Sequence, residues 1–282
     1  MVKVSIITTS LNAVGTIRDC LESVKGQTCP DVEHIVVDGA STDGTQAVLA
    51  EYTDSLAQVI SEADRGIYDG MNKGLRRATG DVVGLLNADD MYCNPLVLEK
   101  VAAVFADEQV DSCYGDLVYI AEDKKGSRFE PGEQRTEDRK ERVCANRLKE
   151  GDFKIVRYWK SGEFDPRKFY WGWMPPHPTF FVRRHVYEKY GYFNLDLGTA
   201  ADYELMLRFL VGQRISVAYL PEIVLLMRSG GASNVTLQAR LQANRMDRKA
   251  WEANGLKPYP WTLMLKPLRK VWQWVVKPPV LK

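Results

Sequence analysis

The sequence has no cysteine pair at the spacing of a metal or redox motif. Its five cysteines, Cys20, Cys29, Cys93, Cys113 and Cys144, are odd in number and scattered, so neither a disulfide framework nor a thiolate metal site is expected, and a reducing cytosol fits. A long apolar run is also missing. No stretch approaches the roughly 20 residues needed to span a bilayer, and the opening Val4-Ser5-Ile6-Ile7 reaches polar residues too soon for a signal peptide. Nor is there an excess of one charge: 38 basic residues stand against 37 acidic, which argues against nucleic acid as a partner. What is present is an ordinary globular composition, 282 residues of which 45% are hydrophobic, enough for one large core or two modest ones.

Short β-branched runs alternate with amphipathic helical patterns. Val4 to Thr8 is a buried-strand pattern, and Ile17, Cys20, Leu21 and Val24 then recur at helical spacing. Strands are expected again at 33–38, 58–61, 81–86 and 215–219. Helices are expected from about Thr45, at 68–78, after Asn94-Pro95 as N-cap and first residue, at 202–211, and from Leu237 to Asn254 with Gly255 just past its end. The alternation predicts an α/β fold with a mostly parallel central sheet flanked by helices. Residues 122–149 break the pattern: 16 of these 28 are charged, which predicts a solvated excursion.

In such a sheet ligands bind outside the carboxyl ends of the strands, where Asp38, Asp43 and the pair Asp89-Asp90 fall. Asp43-Gly44 reads as turn chemistry. Leu85-Leu86-Asn87-Ala88-Asp89-Asp90 is different, because adjacent carboxylates at the end of an apolar strand repel unless a cation or donor network sits with them. A hard divalent ion completed by a phosphate-bearing ligand is the economical solution.

Val4-Ser5-Ile6-Ile7-Thr8-Thr9-Ser10-Leu11-Asn12, Val36-Val37-Asp38-Gly39-Ala40-Ser41-Thr42-Asp43-Gly44-Thr45 and Asp69-Gly70-Met71-Asn72-Lys73-Gly74 follow one another at strand ends and helix starts. Leu86-Asn87-Ala88-Asp89-Asp90, Pro176-His177-Pro178-Thr179-Phe180-Phe181 and Ala201-Asp202-Tyr203-Glu204-Leu205 continue the series. In this order they resemble the inverting glycosyltransferases of family 2, of the bacterial polysaccharide-biosynthesis type, which have the nucleotide-diphospho-sugar transferase fold called GT-A.

The resemblance implies transfer of a sugar from a nucleoside-diphosphate-sugar donor to a hydroxyl of a glycan acceptor, with Mn²⁺ or Mg²⁺ as cofactor and Asp202 as catalytic base. It implies a donor side made of Thr9, Asn12, Asp38, Ser41, Arg65, Lys73, Asn87, Asp89 and Arg228. The acceptor side would hold His177, Trp173 and Glu204, and the metal Asp89, Asp90 and His177. Each residue also has a plainer reading. Asp202 can serve as a helix N-terminal carboxylate, Glu204 points to a different helix face two residues on, His177 can be structural, Trp173 can fill the core, and Arg65 and Arg228 can be surface arginines. Asn87 stands where the family's metal motif often has an aspartate, so Asp89 should carry the ion. Two rivals are a sugar nucleotidyltransferase, disfavoured by Ser10-Leu11-Asn12-Ala13 where a basic glycine-rich loop is needed, and a non-catalytic nucleotide- or glycan-binding module.

The expected division is a catalytic domain at 1–235, with a charged insertion at 122–168, and a helical extension at 236–282. From Lys257 to Lys282 there are six basic residues and no acidic one, with Trp261, Trp272 and Trp274. This suits a helix lying in an anionic membrane interface, against the alternative of a helix packed on the body. A cytoplasmic enzyme, peripheral on the inner face of the cytoplasmic membrane and acting on a lipid-linked acceptor, is therefore expected.

Overall fold

Val4–Ser10 (β1) is buried at every position, the signature of a strand covered on both faces. It lies between Val32–Asp38 (β2) and Val82–Asn87 (β4), parallel to both, and β2 pairs in parallel with Gln58–Ser61 (β3). The computed structural model describes residues 1–122, 153–229, 237–269, 272–276 and 278. The registers are in phase: Thr9 pairs with Val37 and with Asn87, and Ser10 with Asp38. The carboxyl ends of β1, β2 and β4 therefore end level, along one rim.

Helices cover this half as the periodicity requires. Ile17–Lys25 (α1) buries Ile17, Cys20, Leu21 and Val24, and Thr45–Ala50 (α2) follows β2. Ile67–Leu75 (α3) lies directly on β1, because a Cβ on Gly74 would come within 2.3 Å of Ile7 Cγ2; only glycine permits that approach.

Beyond β4 the sheet is mixed. Met91–Tyr92 (β5), Ser112–Glu122 (β6), Phe153–Trp159 (β7), Phe181–Arg183 (β8) and Val217–Arg228 (β9) complete nine strands in the order β3-β2-β1-β4-β8-β6-β9-β5, with β7 also paired to β6. β8 is antiparallel to β4 and β6, β7 to β6 and β5 to β9, while β6 and β9 run parallel. β9 outruns the expected 215–219 because the long β6 offers partners as far as Arg228. Of the supposed insertion at 122–168, residues 123–152 lie outside the described residues. Phe153–Trp159 belongs to the sheet, with Phe153 and Tyr158 in its core.

Val97–Val104 (α4) starts later than expected, since Asn94 Oδ1 accepts the Leu96 N–H at 2.9 Å in a local turn and does not cap the helix. Arg167–Tyr170 (α5), Arg184–Tyr190 (α6) and Ala201–Met206 (α7) follow, and α7 widens into a π-type turn over Leu207–Gly212. Leu237–Ala253 (α8) buries Ala250 and Trp251 in the same core as Tyr203 and Leu205 of α7, and Gly255 follows it with φ +65. Thr262–Arg269 (α9) packs one face on the body: Thr262 Oγ1 donates to the Tyr170 carbonyl at 2.6 Å and Lys266 pairs with Asp247 at 2.8 Å. Trp272–Val275 (α10) rests on β7. No helix among the described residues is long and apolar enough to cross a membrane.

Candidate active site

Asp38 ends β2 fully buried, and its carboxylate gathers the surrounding loops. Ser10 Oγ donates to it at 3.0 Å, the Ser41 N–H at 2.9 Å and Ser61 Oγ at 2.9 Å, and the Ser41 hydroxyl donates as well. Burial raises its pKa, yet the donors at Ser41, Ser61 and Ser10 outweigh burial and hold the carboxyl below its usual range. Asp38 thus organises the loop and has no lone pair to spare. The tight path it imposes puts Ala40 at φ +62, a strained conformation for a side chain with a Cβ. Asn12, at φ +50, ties the loop after β1 to the same turn: its N–H donates to Ser41 Oγ at 2.8 Å and its Oδ1 accepts from the Thr42 N–H at 3.0 Å. Asp43 accepts from the Val14 and Thr45 N–H groups, each at 3.0 Å, the turn role read for it.

The rim where β1 and β4 end gathers unsatisfied oxygens. Thr9 Oγ1, Asn87 Oδ1 and Asp90 Oδ1 are buried there without a hydrogen-bond partner, although buried polar atoms in folded proteins are nearly always satisfied. Thr9 and Asn87 are paired in register, and Asn87 Nδ2 donates to Asp90 Oδ2 at 3.1 Å. Burial, then the neighbouring Asp89, push the Asp90 carboxyl well above its ordinary range, with Asn87 and Arg228 opposing. The half-buried Asp89 carboxylate, orphaned oxygens on Asp90 and Asn87, and no sulfur or nitrogen ligand make a donor set that fits a hard divalent cation. Among the described residues no three His, Cys, Asp or Glu converge on one point, so these residues would supply only part of the shell of such an ion.

Asp202 opens α7 and sits against Tyr68 and His177. The Tyr203 N–H donates to its Oδ1 at 2.7 Å. Burial and the Asp202 carboxylate keep the Tyr68 hydroxyl protonated, its pKa far above the usual phenol value. For His177 burial wins over the attraction of Asp202 and lowers the ring pKa, so the imidazole is neutral at pH 7. Phe193 packs between them, 5.2 Å from the Tyr68 ring and 5.5 Å from that of His177. Tyr68 lies in the first turn of α3, and Gly70 of that helix lies against Thr9 and Asp64, which brings the Asp202 group toward the Thr9–Asn87 rim.

Several expected site residues are placed elsewhere. Glu204 is a buried structural carboxylate: it accepts from Arg208 Nε at 2.9 Å and Nη2 at 3.0 Å, and Arg208 goes on to the Gly191 and Tyr192 carbonyls at 2.8 and 2.7 Å. That arrangement removes it from the acceptor side. Trp173 is core filling, edge-on to Phe169 and Tyr114, with its indole N–H on the Ser161 carbonyl at 3.0 Å. His177 stands with Asp202 rather than with Asp89 and Asp90. Arg65 extends into solvent beside Asp69. Lys73 ties down the β3–α3 loop through Glu62 at 3.0 Å and the Ala63 carbonyl at 2.8 Å. Arg228 is paired to Asp19 and Glu122, and the glycine loop after it, 230–236, lies outside the described residues. Reading the sequence missed Tyr68, Asp64 and the serines Ser10 and Ser61. Asp64 could have been found, since it follows the β3 strand end; its carboxylate stands 2.8 Å from where a Cβ on Gly39 would be.

The sequence profile of glycosyl transferase family 2 matches residues 5–191. The chain belongs to that family. A PGL/p-HBAD biosynthesis glycosyltransferase of Mycobacterium bovis is 28% identical over 235 residues, 82% of this chain and 78% of that one. An uncharacterized glycosyltransferase of Mycobacterium tuberculosis is 31% identical over 208 residues, 73% and 68% of the two chains. Among solved structures, Staphylococcus aureus TarS in complex with UDP-GlcNAc superposes with a TM-score of 0.59 at 18% identity, covering 86% of this chain and 65% of that one, so this chain spans less than two thirds of that length. The mannosyltransferase PcManGT from Pyrobaculum calidifontis, in complex with GDP-Man and Mn²⁺, superposes with a TM-score of 0.58 at 19% identity over 94% and 68%. The fold of this glycosyltransferase is therefore of the GT-A type, as its motifs imply, and its sheet is parallel in the half that forms the rim.

Proposed function

We propose that this glycosyltransferase moves a sugar, with inversion, from a nucleoside diphosphate to a hydroxyl of a lipid-linked or glycolipid acceptor in surface-glycan synthesis. The observation that carries the reading is the trio of orphaned buried oxygens at Thr9, Asn87 and Asp90, set where parallel strands end. A ligand would satisfy such atoms, and Asp202, beside Tyr68 of α3, would add the means to take a proton from an attacking hydroxyl. Asp89 and Asp90 would hold Mn²⁺ or Mg²⁺, which supplies Lewis-acid stabilisation of the departing diphosphate. Thr9 and Asn87 would orient the donor, and the Asp38 knot keeps its binding loop in place. Asp202 would accept the acceptor proton, with Tyr68 and neutral His177 shaping that side.

The lipid-linked acceptor and a place on the inner face of the membrane are supported by one surface. Trp171, Tyr259 and Trp261 form an exposed aromatic group with centroids 5.2–6.5 Å apart, continued by Met264 and Leu268, 70% and 61% exposed on the outer face of α9. Such a face, beside a tail without acidic residues, suits a headgroup boundary. The test is incubation of the full chain with nucleoside-diphosphate-sugars, Mn²⁺ and polyprenyl-linked acceptors, following diphosphate release and the anomeric configuration of the product by NMR. Acceptor-dependent release with inverted product is expected; a retained configuration would overturn the mechanism.

A further inference from the structure

Three residues stand in one row across the far half of the sheet. Met227 of β9 pairs with Tyr119 of β6, and Tyr119 with Arg157 of β7. Residues in register on neighbouring strands project to the same face. Met227, Tyr119 and Arg157 therefore point the same way. Asp90 directly precedes Met91 of β5, which pairs with Leu226, the neighbour of Met227.

The Arg157 side chain leans along this row. Its guanidinium carbon lies 3.5 Å from the Tyr119 ring centroid, one strand closer to Asp90, and Trp274 of α10 stands on it with its ring centroid 5.8 Å away. A guanidinium lying against a ring face can still direct N–H groups in its plane to a planar or tetrahedral oxyanion. One of them, Nε, is buried without a partner. No carboxylate pairs with Arg157 among the described residues, whereas Arg228 and Lys73 are each bound to acidic partners. A diphosphate held near the Asp89-Asp90 pair would have oxygens that require further positive donors.

We propose that Arg157 binds the diphosphate of the donor, with Tyr119 as its platform, and that Trp274 is its positioning residue, so that the C-terminal helix α10 is a wall of the donor site. This inference rests on the nucleoside-diphosphate reading above. It makes the tail part of the catalytic unit and gives a route by which events at the tail reach the donor.

The experiment is calorimetric titration of the full chain with pyrophosphate in the presence of Mn²⁺, comparing wild type with Arg157→Ala, Arg157→Lys, Trp274→Ala and Asp89→Ala. Arg157→Ala should weaken binding by about 10-fold or more, the scale of a lost charge-assisted pair, and Arg157→Lys should recover part of it. Trp274→Ala should weaken binding several-fold and reduce its salt dependence, a change that a merely structural tryptophan would not cause in the folded protein. If Arg157→Ala does not fold, Arg157→Gln serves in its place. Wild-type affinity in the Arg157 variants, with binding lost in Asp89→Ala, would overturn the inference and leave the donor reading intact. Unchanged affinity in Trp274→Ala alone would remove the tail from the site. No binding by wild type, or binding indifferent to Asp89, would overturn the donor reading and the inference with it.

Discussion

The indole N–H of Trp251 donates to the Tyr203 hydroxyl at 3.0 Å, joining α8 to the residue next to Asp202. Both side chains are buried in the main core, so α8 supports α7 from behind. Trp251→Ala should cost about 3–5 kcal/mol, the range for emptying a buried aromatic site. Urea unfolding would measure it, and a loss under about 1 kcal/mol would mean that α8 is only loosely docked.

Asp89→Ala should abolish Mn²⁺-dependent binding of nucleoside diphosphate while leaving the melting temperature close to wild type, because the residue is half-buried at a strand end and outside the core. A thermal-shift series with and without Mn²⁺ reads both quantities at once.

Asp202→Asn should keep donor and metal binding and slow transfer by roughly 10²-fold or more, as expected for loss of a general base. A collapse of donor affinity instead would move Asp202 to the donor side.

Acid should destabilise the protein over two overlapping intervals. His34, buried against Thr8 Oγ1 at 2.9 Å, has its pKa lowered by burial from 6.5 to about 3. Below 6.5 the unfolded chain takes up a proton that the folded ring refuses, so stability falls with pH across that interval; buried His177 acts in the same sense. Glu33 enters later. Burial raises its pKa, but hydrogen bonds from Ser5 and Thr79 and the charge of Lys3 bring it down from 4.5 to about 2. Its contribution is complete above 4.5 and disappears toward 2. Melting temperatures of His34→Gln should fall less steeply than wild type between pH 6.5 and 5; equal slopes would refute the assignment.

Removing the exposed apolar surface of Trp261 and of the outer face of α9 with Trp261→Ala, Met264→Ser and Leu268→Ser together should release the protein from anionic vesicles, and high salt should release wild type only in part, since it screens the charges and leaves the apolar contact. Absence of wild type from floated vesicles would end the membrane reading.

The first half of the fold was legible because β1, β2 and β4 carry continuous apolar runs followed by helical stripes, and local periodicity is what such elements need. The short strands were not: β8 is three residues long and β5 two, and their pairing is chosen by neighbours far along the chain. The acidic residues at strand ends were legible for the same reason as the strands. The plainer readings of Glu204 and Trp173 were legible too, but their partners, Arg208 and the Ser161 carbonyl, were not, since the tertiary structure brings them together. Tyr68 lay beside a noted motif, but a tyrosine in an amphipathic helix carries no local sign that it will face a carboxylate from 134 positions later.

Asp38 fastens Ser10, Ser41 and Ser61, three separate segments, at one buried point. The conformational freedom of the loop that would receive the nucleotide base is therefore already surrendered when the chain folds. Association with a donor would then proceed with little further ordering, and discrimination between one base and another would rest on the fixed shape of a rigid mould, with tolerance for an ill-fitting base correspondingly small.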